Sequence, residues 1–179
     1  RVGNIIQTLK DNGLYENTII IFAGDNGLAV GQHGLMGKQN VYEHSVGVPL
    51  MIKAAAQHTG KKTADLCYLI DVFPTLCDML QLPVPQSVDG ISLLSSLDGK
   101  EPVRDYLYYS YMDNQRGISD GTWKLIEYHV NGKRTTQLFN LKNDPWERND
   151  LSGQKKYEKT IQRLREKMAE EQKRTNDTS

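Results

Sequence analysis

Asp25 and Asn26 are the residues whose types and placement most directly suggest chemistry. They sit in Ala23-Gly24-Asp25-Asn26-Gly27, directly after the β-branched and aromatic run Thr18-Ile19-Ile20-Ile21-Phe22. A run without polar alternation predicts a strand buried on both faces, the habit of parallel strands in α/β proteins. Ligand sites of open α/β sheets lie just beyond the carboxyl ends of such strands. A carboxylate and an amide carbonyl are hard oxygen donors, suited to Ca²⁺ or Mg²⁺, and flanking glycines let the backbone bend around an ion. The same residues also fit a plain loop in which Asp and Asn satisfy turn amides. The pair alone does not choose between these.

The next twenty-odd positions add more residues of chemical interest, in a fixed order. His33-Gly34-Leu35-Met36-Gly37-Lys38 leads through Tyr42-Glu43 to Val48-Pro49 and a second apolar strand, Leu50-Met51-Ile52. Farther on come Asp71-Val72-Phe73-Pro74-Thr75-Leu76, Val88-Asp89-Gly90-Ile91-Ser92-Leu93-Leu94 and Leu138-Phe139-Asn140-Leu141-Lys142-Asn143-Asp144-Pro145. The set resembles the sulfatase family of the alkaline-phosphatase superfamily, in the family's order and over nearly the whole chain. The resemblance implies that Asp25 and Asn26 are two oxygen ligands of a divalent ion, usually Ca²⁺, with Mg²⁺ as the alternative. It implies that Lys38 reaches the sulfate oxygens, and it leaves His33 either lining the cleft or bonded within its loop. A fixed cation and an ammonium would stabilise the charge that develops as a sulfate ester breaks.

Two departures accompany the resemblance. Gly47 stands where many members carry an arginine before Val-Pro. The family's formylglycine, made from the Cys or Ser of Cys/Ser-x-Pro-x-Arg, has no counterpart here: Cys67 precedes Tyr68-Leu69 and Cys77 precedes Asp78-Met79. The family places that motif, with its paired aspartates, upstream of the strand-Asp-Asn unit. The expectation is therefore the C-terminal part of a sulfatase, with no catalytic nucleophile of its own, and Arg1 in place of an initiating Met fits it.

The elements that must position these residues can be read in order. Val2, Ile5, Ile6 and Leu9 recur at helical spacing, and Asp11-Asn12-Gly13 stops the helix. Residues 54–62 read as a surface loop. Asp71 suits an N-cap, with Pro74 in the first turn of a helix that Pro83 ends. A short helix is expected over 91–97. From Asp105 the runs 106–111, 115–119, 123–128 and 137–141, separated by turns at Asn114, Asp120-Gly121 and Asn131-Gly132, predict a small antiparallel sheet. Its tyrosines suit sheet packing more readily than a sugar-stacking surface. Tyr157, Ile161, Leu164 and Met168 form one apolar stripe on a long charged helix, placed to lie across that sheet. The fold class is thus α/β: an alkaline-phosphatase-like sandwich of helices on a mostly parallel sheet over 1–104, then an antiparallel sheet with a covering helix over 105–179.

Composition narrows the function classes. Lysine plus arginine and aspartate plus glutamate each number 22 in 179 residues, so bulk charge gives no case for nucleic-acid binding. No apolar run is long enough to span a bilayer. Two cysteines make no disulfide framework and read as buried thiols. The expected partner is a sulfated small molecule or sulfated carbohydrate, and family resemblance points to a periplasmic or secreted parent enzyme. Two further readings stand beside sulfate ester hydrolysis. One is phosphodiester or phosphonate hydrolysis on the same fold, and the other is a non-catalytic structural module.

Overall fold

The computed structural model describes residues 1–54 and 60–178. The loop expected over 54–62 therefore lies mostly outside the described residues. Two compact units are present: Arg1–Gly24, Pro49–Thr63 and Leu69–Val103 in one, Asp25–Val48, Ala64–Tyr68 and Arg104–Ser179 in the other.

The first unit opens with helix α1 (Val2–Asp11), stopped as expected: Gly13 takes φ +67° and its N–H bonds Lys10 O. Strand β1 (Ile20–Ala23) pairs with β4 (Leu50–Lys53), Ile20 opposite Lys53 and Ala23 opposite Leu50. This pair is antiparallel, which corrects the expectation of parallel neighbours at this strand. The chain returns from β1 to β4 without a crossover that would align them, and Gly24 N–H to Pro49 O at 3.0 Å extends the ladder. Nor is β1 buried on both faces in this chain: Phe22 is 44% exposed. Among the described residues every strand pair is antiparallel.

Helix α3 (Val72–Met79) carries Pro74 in its first turn. Asp71 holds the N-cap position but makes no side-chain cap; its buried carboxylate accepts the Ile91 N–H at 2.9 Å instead. Thr75 Oγ1 accepts the Leu93 N–H at 2.9 Å, so two residues of one helix turn hold the segment that leads into α4 (Leu94–Leu97). Gly90 lies under this clamp. A Cβ there would sit 2.2 Å from Ile70 O, a backbone atom that no rotamer change can move. We expect Gly90→Ala to lower unfolding free energy by about 2 kcal/mol in a denaturant titration. An unchanged midpoint would show that the clamp opens freely.

The second unit is built on a four-stranded meander, β5 (Leu107–Tyr111), β6 (Gln115–Ser119), β7 (Trp123–Val130) and β8 (Lys133–Asn140). Asn131 and Gly132 close β7–β8 with φ of +50° and +74°, the two-residue turn that their types predict. Register sets Ile118, Leu125 and Leu138 on one face. Helix α5 (Glu158–Arg174) covers that face with Ile161, Leu164 and Met168, and Tyr157 packs at the margin. Each fully buried aliphatic side chain contributes roughly 1.5–3 kcal/mol, which the polar flank of α5 could not supply. Arg165 ties the helix to Glu127 at 2.7 Å, and Arg163 to Asp120 at 2.7 Å. Burial opposes charge on Asp120, but N–H groups of Trp123 and Thr122 and the Arg163 guanidinium outweigh it and hold the carboxyl below its usual range.

The opposite face carries Ile126 and Phe139, covered by Val41 and Tyr42. This sheet is therefore buried on both sides. Tyr109 packs against the same cluster, and burial pushes its hydroxyl well above the ordinary tyrosine range. Packing, not exposure for stacking, is its role.

Candidate functional site

Residues 25–48 of the second unit carry every side chain singled out for chemistry. Asp25 and Asn26 are exposed, and Asn26 Nδ2 donates to Asp25 Oδ2 at 2.8 Å. That bond orients both side chains and leaves Asp25 Oδ1 and Asn26 Oδ1 as exposed hard oxygens. Gly27 anchors the pair: its N–H bonds Ser45 O at 2.9 Å, in the short helix α2 (Glu43–Val46). A Cβ on Gly27 would lie 2.0 Å from His44 O, so only glycine permits this approach.

Lys38 comes directly after a two-residue-per-strand hairpin, β2 (Ala29–Val30) with β3 (Met36–Gly37). Gly37 at φ +107° turns the chain into it. Lys38 is exposed, and among the described residues its ammonium has no ion pair or hydrogen bond. The arrangement presents a free cation.

His33 is differently held. Its ring stacks on Tyr42 with centroids 4.0 Å apart and planes within 5°, and Nε2 lies 3.2 Å from Trp146 O. A carbonyl only accepts, so Nε2 carries the proton and Nδ1 is the nitrogen left for another partner. The His44 ring lies beside both, its centroid 5.6 Å from His33 and 5.7 Å from Tyr42, and its Nε2 is buried with no partner among the described residues. Burial, then the charges of His33 and Lys124, lower its pKa. Gln32, His33, His44, Trp146, Glu147 and Arg148 line a groove of about 560 Å³.

Beneath these residues lies a charge cluster that the local sequence pattern does not announce. Lys124, on β7, is fully buried on the Ile126 face. Its Nζ is 2.8 Å from Glu43 Oε1 and 3.1 Å from Glu147 Oε1, and 5.0 Å over the ring of Tyr109. Glu147 Oε2 accepts the Glu43 N–H at 2.6 Å. Burial raises the Glu147 pKa against the opposing pull of Lys124. One signal was available: Lys124 sits in strand alternation with Ile126 and Tyr128, a lysine where the pattern asks for an inward side chain. Gly47 also finds its reason here. A Cβ on it would meet Glu43 Oε2 at 2.7 Å and Glu43 O at 2.9 Å, so a larger residue would displace the side chain that reaches Lys124.

Among the described residues no group of three or more His, Cys, Asp or Glu side chains could hold a metal ion. Asp25 and Asn26 offer oxygens of the type that Ca²⁺ or Mg²⁺ takes.

This fold and this order of motifs are those of the C-terminal region of sulfatases. Over residues 31–174 the chain matches the family described as N-sulphoglucosamine sulphohydrolase, C-terminal, and it belongs to that family. It is 30% identical to an N-acetylglucosamine-6-O-sulfatase of Bacteroides thetaiotaomicron over 98% of its own length and 34% of that protein. It is 27% identical to arylsulfatase K of Homo sapiens over 80% of its length and 29% of that protein. Its fold superposes with TM-score 0.87 and 28% identity on a protein solved in complex with its substrate D-glucosamine-2-N,6-O-disulfate, covering 99% of this chain and 38% of the other. A phosphonate monoester hydrolase of Agrobacterium radiobacter shares the fold at TM-score 0.79 and 26% identity, with 94% and 37% covered. The chain spans about a third of the curated relatives that it matches.

Proposed function

We propose that this chain is the C-terminal portion of an enzyme that hydrolyses sulfate monoesters of a small molecule or carbohydrate. The observation that carries the reading is the Asp25-Asn26 pair, oriented by its own hydrogen bond and pinned by Gly27, with a free ammonium at Lys38 in the same segment. Asp25 Oδ1 and Asn26 Oδ1 supply two hard oxygens to a Ca²⁺ ion, or to Mg²⁺. A cation held by these two residues would supply Lewis acidity toward the sulfate group. Lys38 holds the same sulfate by charge and hydrogen bond, gaining strength as negative charge grows on its oxygens. His33 offers Nδ1 to a substrate hydroxyl, its ring fixed by Tyr42 and Trp146. The formylglycine that the family resemblance implies would come from sequence outside these 179 residues. A sulfated amino sugar is the favoured substrate class, supported by relatives named for N-acetylglucosamine sulfate and glucosamine disulfate.

The phosphonate monoester hydrolase of Agrobacterium radiobacter, of like fold, favours one competing reading, a phosphorus ester at the same site. Parallel rates with a sulfated glucosamine and a phosphonate monoester, using the full-length gene product, separate the two. We expect kcat/KM to favour the sulfate ester by at least tenfold, a difference of about 1.4 kcal/mol in transition-state binding. Preference for the phosphonate would replace this reading with the other.

A further inference from the structure

We infer that the cluster of buried Lys124 and Glu147 with the partly exposed Glu43 is a positioning device for the Asp25-Asn26 pair, acting through α2 and Gly27. The inference rests on the reading of that pair as cation ligands. Its physical basis is a chain of contacts inside one unit. A helix of four residues cannot hold its own shape, because one turn fixes several dihedrals for a single hydrogen bond. Helix α2 also lacks a side-chain cap. Glu147 supplies what is missing, accepting the otherwise orphaned Glu43 N–H at 2.6 Å. Lys124 then fixes both carboxylates at once, at 2.8 and 3.1 Å.

The far end of α2 carries the load onward. Ser45 O receives the Gly27 N–H at 2.9 Å, and His44 O abuts the Gly27 Cα so closely that no Cβ fits. Asn26 and Asp25 are the next residues along. Any shift of α2 is thereby transmitted to their oxygens.

Stability alone does not account for a buried lysine at this place. An apolar side chain of similar volume, flanked by Ile126 and Phe139, would serve the sheet as well or better, since taking these charges out of water consumes most of their attraction. A methyl-bearing residue could not bind the start of α2. The cluster also requires Glu147 at φ +54°, an unfavourable region for a glutamate, held by its N–H to Asp144 O at 3.0 Å. Two distant segments, β7 and the Asp144-Pro145-Trp146-Glu147 turn, thus converge on one helix start.

Hydrogen exchange of the full-length gene product, followed peptide by peptide, tests this. Lys124→Met and Glu43→Ala should each speed exchange at least about tenfold over residues 25–31 and 43–48, with wild-type protection kept in β6 and β8. Glu43→Ala leaves Lys124 paired with Glu147, so it answers the question even where Lys124→Met fails to fold. In both variants the calcium concentration giving half-maximal sulfate release should rise about tenfold, with kcat at saturating calcium within about twofold of wild type. Unchanged exchange over 25–31, or loss of protection spread evenly across the unit, would overturn the inference. Should the wild-type protein release no sulfate, the proposed function falls, and the exchange pattern still decides whether the cluster positions the loop.

Discussion

Gly27→Ala is expected to cost about 3 kcal/mol of stability and to abolish calcium dependence in the full-length gene product. The added methyl would lie 2.0 Å from His44 O, 2.9 Å from His44 C and 3.3 Å from Ser45 Cα, all main-chain atoms. Side-chain repacking offers no relief, so either residues 25–27 lift away or α2 shifts. Both break the Gly27 N–H bond to Ser45 O, adding about 1 kcal/mol to an overpacking cost of about 1–3 kcal/mol. Denaturant midpoints read the stability, and calcium titration of sulfate release reads the site. Wild-type values in both would mean that the loop does not need this approach.

Lys38→Ala should behave in the opposite way. The side chain is exposed and unpaired, so stability should change by no more than about 0.5 kcal/mol. Turnover should fall by about 100-fold or more, the usual scale for removing one donor aimed at a developing oxyanion. The loss should appear in kcat as well as kcat/KM, because the sulfate gains charge after binding. A change confined to KM would make Lys38 a ground-state contact, and unchanged sulfate release would remove it from the site.

These two substitutions differ because one probes packing that only the structure reveals and the other a side chain legible in the sequence. Helix α5 was legible because Tyr157, Ile161, Leu164 and Met168 keep one face through its turns, and that face does cover the sheet. The β7–β8 hairpin was legible because Asn-Gly is among the few pairs that accept positive φ twice in succession. Strand direction at β1 was not. An apolar run reports burial and length but not which way its neighbour points, and β4 returns antiparallel. Asp71 stands at the start of α3, as its type predicts, yet its carboxylate serves a residue 20 positions away. Local capping rules see only the nearest N–H groups.

The candidate site divides in the same manner. Asp25, Asn26 and Lys38 are conspicuous because their chemistry comes after a strand end and glycine turns. The residues that hold α2 come from three separate segments, and only tertiary structure brings Glu43, Lys124 and Glu147 within ion-pair distance. Gly47 shows how the two levels join. Its departure from the family arginine looks like a lost contact in sequence, whereas in the structure it leaves room for the Glu43 carboxylate.

Calcium content and sulfate release, measured together on the wild-type full-length gene product and on Asp25→Ala, test the central claim most directly. After chelation and readdition of Ca²⁺, the wild type should regain both bound calcium and release from a sulfated glucosamine. Asp25→Ala should regain neither at the same calcium concentration, while its thermal midpoint without calcium stays at the wild-type value. Full calcium loading and full sulfate release by Asp25→Ala would contradict the account.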